Sequence, residues 1–162
     1  MKKVLWIALL CVVAGCAARV GVSVRPGMAQ AEVARLGGKP IAEGRLPTGD
    51  PYWDYTLQPS GYYTYRVVFG PDGTVREVRN LLTEENFLNL KPGMSESDVE
   101  GLLGPARIRE TYWLGTYSIG YRFMRASTFM MMTAEFSRDG RLTTYYWQPD
   151  EAMYSTVSGN ER

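Results

Sequence analysis

The sequence predicts an α+β protein of two tandem units, each a short N-terminal helix packed on a four-stranded antiparallel meander sheet. Three observations predict it. "VRPGMAQAEV" (24–33) returns as "LKPGMSESDV" (90–99), with Gly27 and Gly93 66 positions apart and Val33 and Val99 at the same offset. A period of that size marks a duplicated structural unit. Each copy then runs into Leu and Gly with Pro just beyond, the stop signal of a short helix. Runs rich in aromatic and β-branched residues follow each helix, separated by turn residues, as antiparallel strands require.

The chain opens with Lys2 and Lys3 and an apolar run of twelve residues, Val4 to Gly15. A bilayer-spanning helix takes about 20 apolar residues, so this run reads as a secretory signal over residues 1–15. Val13-Ala14-Gly15-Cys16 resembles the bacterial lipobox, in which the cysteine is acylated, with fatty acids such as palmitate, and the chain is cut before it. That resemblance makes Cys16 the lipidation site, with residues 16–21 as a tether. Ala17 and Ala18 follow where Asp would favour the inner membrane, which implies an outer-membrane anchor facing the periplasm. Both cysteines, Cys11 and Cys16, lie in this region, so the rest of the chain is expected to fold without a disulfide.

The first unit spans 22–80. Met28 and Val33 fall at the positions of a hydrophobic staple and Glu32 at N3, but Ala29 at the cap offers no side-chain oxygen. Strands are expected at 41–46, 51–58, 62–69 and 74–80, with "GPDG" (70–73) as a hairpin turn. Residues 81–89 form a linker, a short helix capped by Thr83. The second unit spans 90–148: Ser95 and Asp98 suit a capping box, Met94 and Val99 a staple, and Gly104-Pro105 ends the helix. Its strands are expected at 107–113, 117–123, 129–137 and 141–147, followed by a polar tail at 149–162.

Alternation assigns the sheet faces. Trp53, Tyr55, Tyr63, Tyr65, Val67 and Phe69 take one side, with Asp54, Thr56, Thr64 and Arg66 on a polar opposite side. The strand 129–137 breaks this pattern. Met130, Met132, Ala134 and Phe136 point one way, and Phe129 and Met131 point the other. Either that second face is covered as another core layer, or it is an exposed patch of adaptable Met and aromatic side chains that binds protein. Tyr145, Tyr146 and Trp147 lie on the next strand, where a bulge leaves open which of them faces out; Tyr145 and Trp147 join Phe129 and Met131 as candidate partner-binding residues.

Composition excludes much chemistry. The chain has 18 basic and 17 acidic residues and no histidine. The near balance argues against a nucleic-acid surface. The missing histidine removes the commonest general base, Ser-His and Cys-His pairs and most zinc sites. Asp54, Glu77, Glu110 and Glu135 are the strand-borne candidates for a carboxylate pair, and read as solvated-face residues. Asp72 and Asp139 precede Gly in turns and read as structural. The expectation is a protein without enzymatic activity, cofactor or metal.

The lipobox, the "GM" leading a helix that ends in Leu-Gly-x-Pro, "WDY" (53–55) and "F…DG.V" (69–75) together resemble the SmpA/OmlA domain of BamE-like outer-membrane lipoproteins. Tandem helix-plus-four-strand units also resemble the β-lactamase inhibitor protein. The first resemblance implies an outer-membrane-anchored lipoprotein that binds another envelope protein in outer-membrane protein assembly. The second implies a periplasmic enzyme inhibitor that binds through an aromatic sheet face. A lipid- or peptidoglycan-binding module is the remaining alternative.

Overall fold

Eight strands and four short helices alternate along residues 16–152, the part described by the computed structural model. The expected signal (1–15) and the tail from 153 lie outside the described residues. The order is α1 (Cys16–Ser23), α2 (Gln30–Gly37), β1 (Ala42–Arg45), β2 (Pro51–Thr56), β3 (Thr64–Phe69) and β4 (Val75–Asn80). There follow α3 (Glu84–Phe87), α4 (Glu96–Leu103), β5 (Ile108–Thr111), β6 (Tyr117–Arg125), β7 (Thr128–Phe136) and β8 (Leu142–Pro149). Strands β1-β2-β3-β4 make one sheet and β5-β6-β7-β8 the other, each neighbour in sequence order.

The α+β class with a helix laid on each sheet is not what forms. Strand accounts for about 42% of the structure and helix for 20%, so the protein is mainly β. Length explains the correction. An eight-residue helix is about 12 Å long, whereas β6 and β7, of nine residues each, run for about 30 Å. Helices α2 and α4 bury only Val33 with Gly37, and Val99 with Leu103. Helix α2 lies against α1, and α4 against α3. They are fittings on the sheets and form no layer of their own.

Two compact units result, and they do not coincide with the two sequence copies. One comprises the chain through Tyr55 together with Val67–Arg79; the other comprises Thr56–Arg66 together with the chain from Asn80.

In the first unit, residues 16–21 are helical where a tether was expected, and Val20 and Val24 are fully buried. Gly37, expected as a helix stop, lies inside α2. A Cβ there would meet both the Tyr55 ring and Val20 at 2.7 Å, so glycine alone lets α1, α2 and β2 converge. The Tyr55 hydroxyl donates to the Gly38 carbonyl at 3.3 Å. Burial pushes the phenol up to about 12, so it remains a donor at any physiological pH. The turn before α2 is bound to β4 by Gly27 N–H to Val75 O and Val75 N–H to Met28 O, both 2.8 Å. The polar face assigned to this sheet is not solvated: Asp54 is 1% exposed.

The second unit repeats these contacts. Gly93 N–H reaches Leu142 O and Leu142 N–H reaches Met94 O, again at 2.8 Å. Tyr121 OH donates to Gly104 O at 2.9 Å, and burial raises its pKa well above the ordinary value. The core joins Val99 and Leu103 to Ile119, Tyr121, Phe123, Met130, Met132, Ala134 and Phe136, on the β7 face that alternation predicts. Residues 81–89 are more than a linker. Leu81, Leu82 and Phe87 are buried, and Phe87 meets Phe123 edge-on at 4.8 Å. Thr83 caps α3 as expected, accepting from Asn86 N–H.

The caps of the two long-range repeats differ as the sequence indicates. Ser95 accepts from Asp98 N–H, and the Asp98 carboxylate accepts from Ser95 N–H, a complete capping box. Ala29 occupies the same extended backbone conformation, φ −70° and ψ 147°, without a side-chain bond. Ser95→Ala should therefore cost about 1 kcal/mol, and Ala29→Ser should recover a similar amount. Urea unfolding midpoints of the two variants check both signs.

Candidate functional site: the second sheet

Phe129 and Met131 lie on the β7 face turned away from the core, as alternation predicts, and both are half-buried. Residues 56–66, part of the same compact unit, account for the cover on Phe129. The Tyr62 ring stacks on Phe129 at 4.8 Å. Beside it, Gln58 bonds the backbone of Arg122 twice: Nε2 donates to Arg122 O at 2.6 Å and Oε1 accepts from Arg122 N–H at 3.0 Å. The reason lies in strand length. Strand β5 pairs with β6 only as far as Ile108 with Gly120, so beyond it the β6 edge has no strand partner. The Gln58 amide supplies the missing pair, and Gln58 is 7% exposed. Arg122 also donates to Pro59 O at 2.8 Å and forms an ion pair at 2.8 Å with the buried Asp150. Further along the face, a Cβ on Gly120 would sit 3.3 Å from the Met131 sulfur and 3.2 Å from Ile108. Met131 and Ile108 thus close over a position that only glycine fills comfortably.

Tyr145 and Trp147 are on the opposite face. They pair with Ala134 and Met132, and both pack half-buried against the core cluster. Trp147 lies 5.9 Å from Phe87. The register shift between Glu135 and Phe136 sets this parity. It turns Tyr146, 42% exposed, toward the Met131 side. The four candidate residues therefore form two pairs on two faces and no common surface.

The most exposed apolar group was assigned to a strand by its sequence. Strand β5 stops at Thr111, and Tyr112-Trp113-Leu114-Gly115 form the turn into β6. Trp113 is 92% exposed, Leu114 49% and Tyr112 41%. The turn is closed by Tyr112 N–H to Thr116 O and Gly115 N–H to Tyr112 O, both 2.9 Å. Arg138 donates through Nε and Nη2 to Leu114 O. The repeat carried the signal: an offset of 66 places this turn on Leu46-Pro47-Thr48-Gly49. There Leu46 N–H to Asp50 O (2.9 Å) and Gly49 N–H to Leu46 O (2.8 Å) close the same turn.

Several ionisable groups make structural contacts. Glu96 accepts from Tyr117 OH at 2.8 Å and from Arg109, and the Arg109 guanidinium sits 4.4 Å above the Tyr117 ring. Burial opposes ionisation of Glu96, but the bonds from Arg109 and Tyr117 outweigh it and hold the carboxyl below its ordinary value. Asp72 and Asp139 are lowered by hydrogen bonds from Thr74 and Ser137, as turn carboxylates. Among the described residues, no three His, Cys, Asp or Glu side chains converge to hold a metal. Compared with known proteins, the chain matches no family model and no curated sequence.

Gln58→Leu should leave the part-buried Arg122 N–H and C=O without these partners, at about 1–3 kcal/mol; faster hydrogen exchange at the Arg122 amide is the direct readout. Because the folded Glu96 carboxyl is lowered, the stability it contributes is complete above its ordinary value of 4.5. It is lost as the pH falls through the folded value. Arg109→Gln should flatten this acid limb, as seen in unfolding midpoints followed from neutral pH downward.

Proposed function

We propose that the protein is an outer-membrane lipoprotein, anchored through acylated Cys16 and facing the periplasm, that binds another envelope protein in a BamE-like supporting role. The observation that carries the reading is how near Cys16 lies to a buried residue. Both Cys16 and Val20 belong to helix α1, and Val20 is fully buried. Four helical residues span about 6 Å, so acyl chains on Cys16 would join a folded unit almost directly. Several buried acyl chains make attachment long-lived, at about 0.8 kcal/mol per methylene. Among the described residues no helix is long and apolar enough to cross a membrane, so the lipid carries the attachment in this reading.

Partner binding rests on the Met131 face of the second sheet, where Tyr146 is exposed, and Tyr is a favoured interface anchor. The exposed carboxylates accounted for above serve caps, turns and ion pairs, which favours binding over bond-making chemistry.

Labelled palmitate should enter the wild-type protein and not Cys16→Ala, and the variant should leave the membrane fraction or keep its leader. Equal labelling of both would remove the anchor. Crosslinking in membranes should recover a component of the outer-membrane protein assembly machinery; its absence would remove the assembly role while leaving the anchor standing.

A further inference from the structure

We propose that the Tyr112-Trp113-Leu114 turn inserts into the headgroup region of a lipid bilayer, giving the protein a second, non-covalent membrane contact. The duplication provides an internal control. The turn at 46–49 has the same two closing hydrogen bonds and the same left-handed glycine, φ 89° at Gly49 against 79° at Gly115. Yet it carries Pro47 and Thr48 where the second copy carries Trp113 and Leu114. Loop geometry therefore does not demand apolar side chains here, and the second copy exposes them nonetheless.

The turn suits lipid in three respects. It is exposed and braced: two backbone bonds close it, and Arg138 holds Leu114 O through two N–H groups. Those bonds satisfy three of the backbone groups that would enter a region poor in water. Trp and Tyr are also the residues that settle at the membrane–water interface. Size favours lipid over protein as well. A stable protein interface buries about 800 Å² on each partner, more than three residues on one turn offer, whereas a bilayer needs no matching pocket. An acyl anchor elsewhere on the chain would raise the local lipid concentration, so a weak contact suffices. The surrounding charges are mixed, with exposed Arg138 against exposed Glu110 and Asp139, so the contact should not require anionic lipid.

The inference draws on the lipoprotein reading only for the turn's proximity to a membrane. Lipidated protein reconstituted in phosphatidylcholine vesicles with brominated acyl chains should show blue-shifted, quenched tryptophan emission. Trp113→Ala, at a site 92% exposed and so harmless to folding, should lose that quenched component; Trp53 and Trp147 are common to both proteins. Adding anionic lipid should change the quenching by less than about twofold, since screened surface charge is not what drives it. Cys16→Ala protein mixed with excess vesicles should retain Trp113-dependent quenching even if the anchor reading fails. Identical, unquenched emission from wild type and Trp113→Ala overturns the proposal. So does a photocrosslinker at position 113 that reacts in cells with a protein instead of lipid.

Discussion

Each unit depends on tying a helix too short to stand alone to strands at both of its ends. An isolated helix below about 12–15 residues is marginal in water, and α2 and α4 have eight residues each. At the N-terminal end, Pro-Gly-Met turns the chain through a left-handed glycine, φ 90° at both Gly27 and Gly93. The turn then pairs with Val75 or Leu142. The methionine sulfur accepts an N–H from the residue three back, Arg25 at 3.2 Å and Lys91 at 3.4 Å. At the other end a buried tyrosine, Tyr55 or Tyr121, hydrogen-bonds the glycine carbonyl that ends the helix. These phenols do not ionise at physiological pH, so both ties are permanent. The repeated sequence is the imprint of this construction.

Much of the fold was legible because it is written locally. Turn glycines, the Ser95 capping box, the Thr83 cap and the alternation of β7 each depend on neighbours a few residues away. What was not legible depends on distant chain. Alternation separated Asp54, Thr64 and Arg66 from their apolar neighbours, but it cannot say whether a polar face meets water. Here Thr64 is fully buried and Arg66, 4% exposed, donates to Gly101 O. Nor could a residue count fix the position of the bulge at Glu135, which sends Tyr145 and Trp147 to the core face and Tyr146 outward. The fold class failed for a related reason. Helical periodicity detects α2 and α4, but their two turns are too short for the layer that the class requires.

The candidate surface was legible only in part. Phe129 and Met131 were recognised as a second apolar face, but the sequence could not show that Tyr62 and Gln58 lie over and beside it. Trp113 was visible as an aromatic residue and was absorbed into a strand, because "RIRETYW" reads as one run of strand formers. Aligning the copies residue by residue corrects this, since Gly115 falls on Gly49 and both take the left-handed conformation.

The same alignment explains why the units and the copies part company. From the buried tyrosine to the phenylalanine before the next turn, the first copy runs from Tyr55 to Phe69 and the second from Tyr121 to Phe136, one residue longer. The first copy stops its strands at Thr56 and Thr64 and spends the residues between them on an open loop. The second continues its strands to Arg125 and Thr128, with a two-residue turn. That extension creates a stretch of β6 edge beyond the reach of β5 and exposes Phe129 on the outer face. An unpaired edge beside an apolar face is an aggregation hazard. The loop from the first copy brings Gln58 to that edge and Tyr62 to that ring. Neither departure from the shared plan is stable by itself: the long hairpin needs a cover, and the polar Gln58 needs a buried partner. The second sheet is therefore complete only in the presence of residues encoded in the first copy.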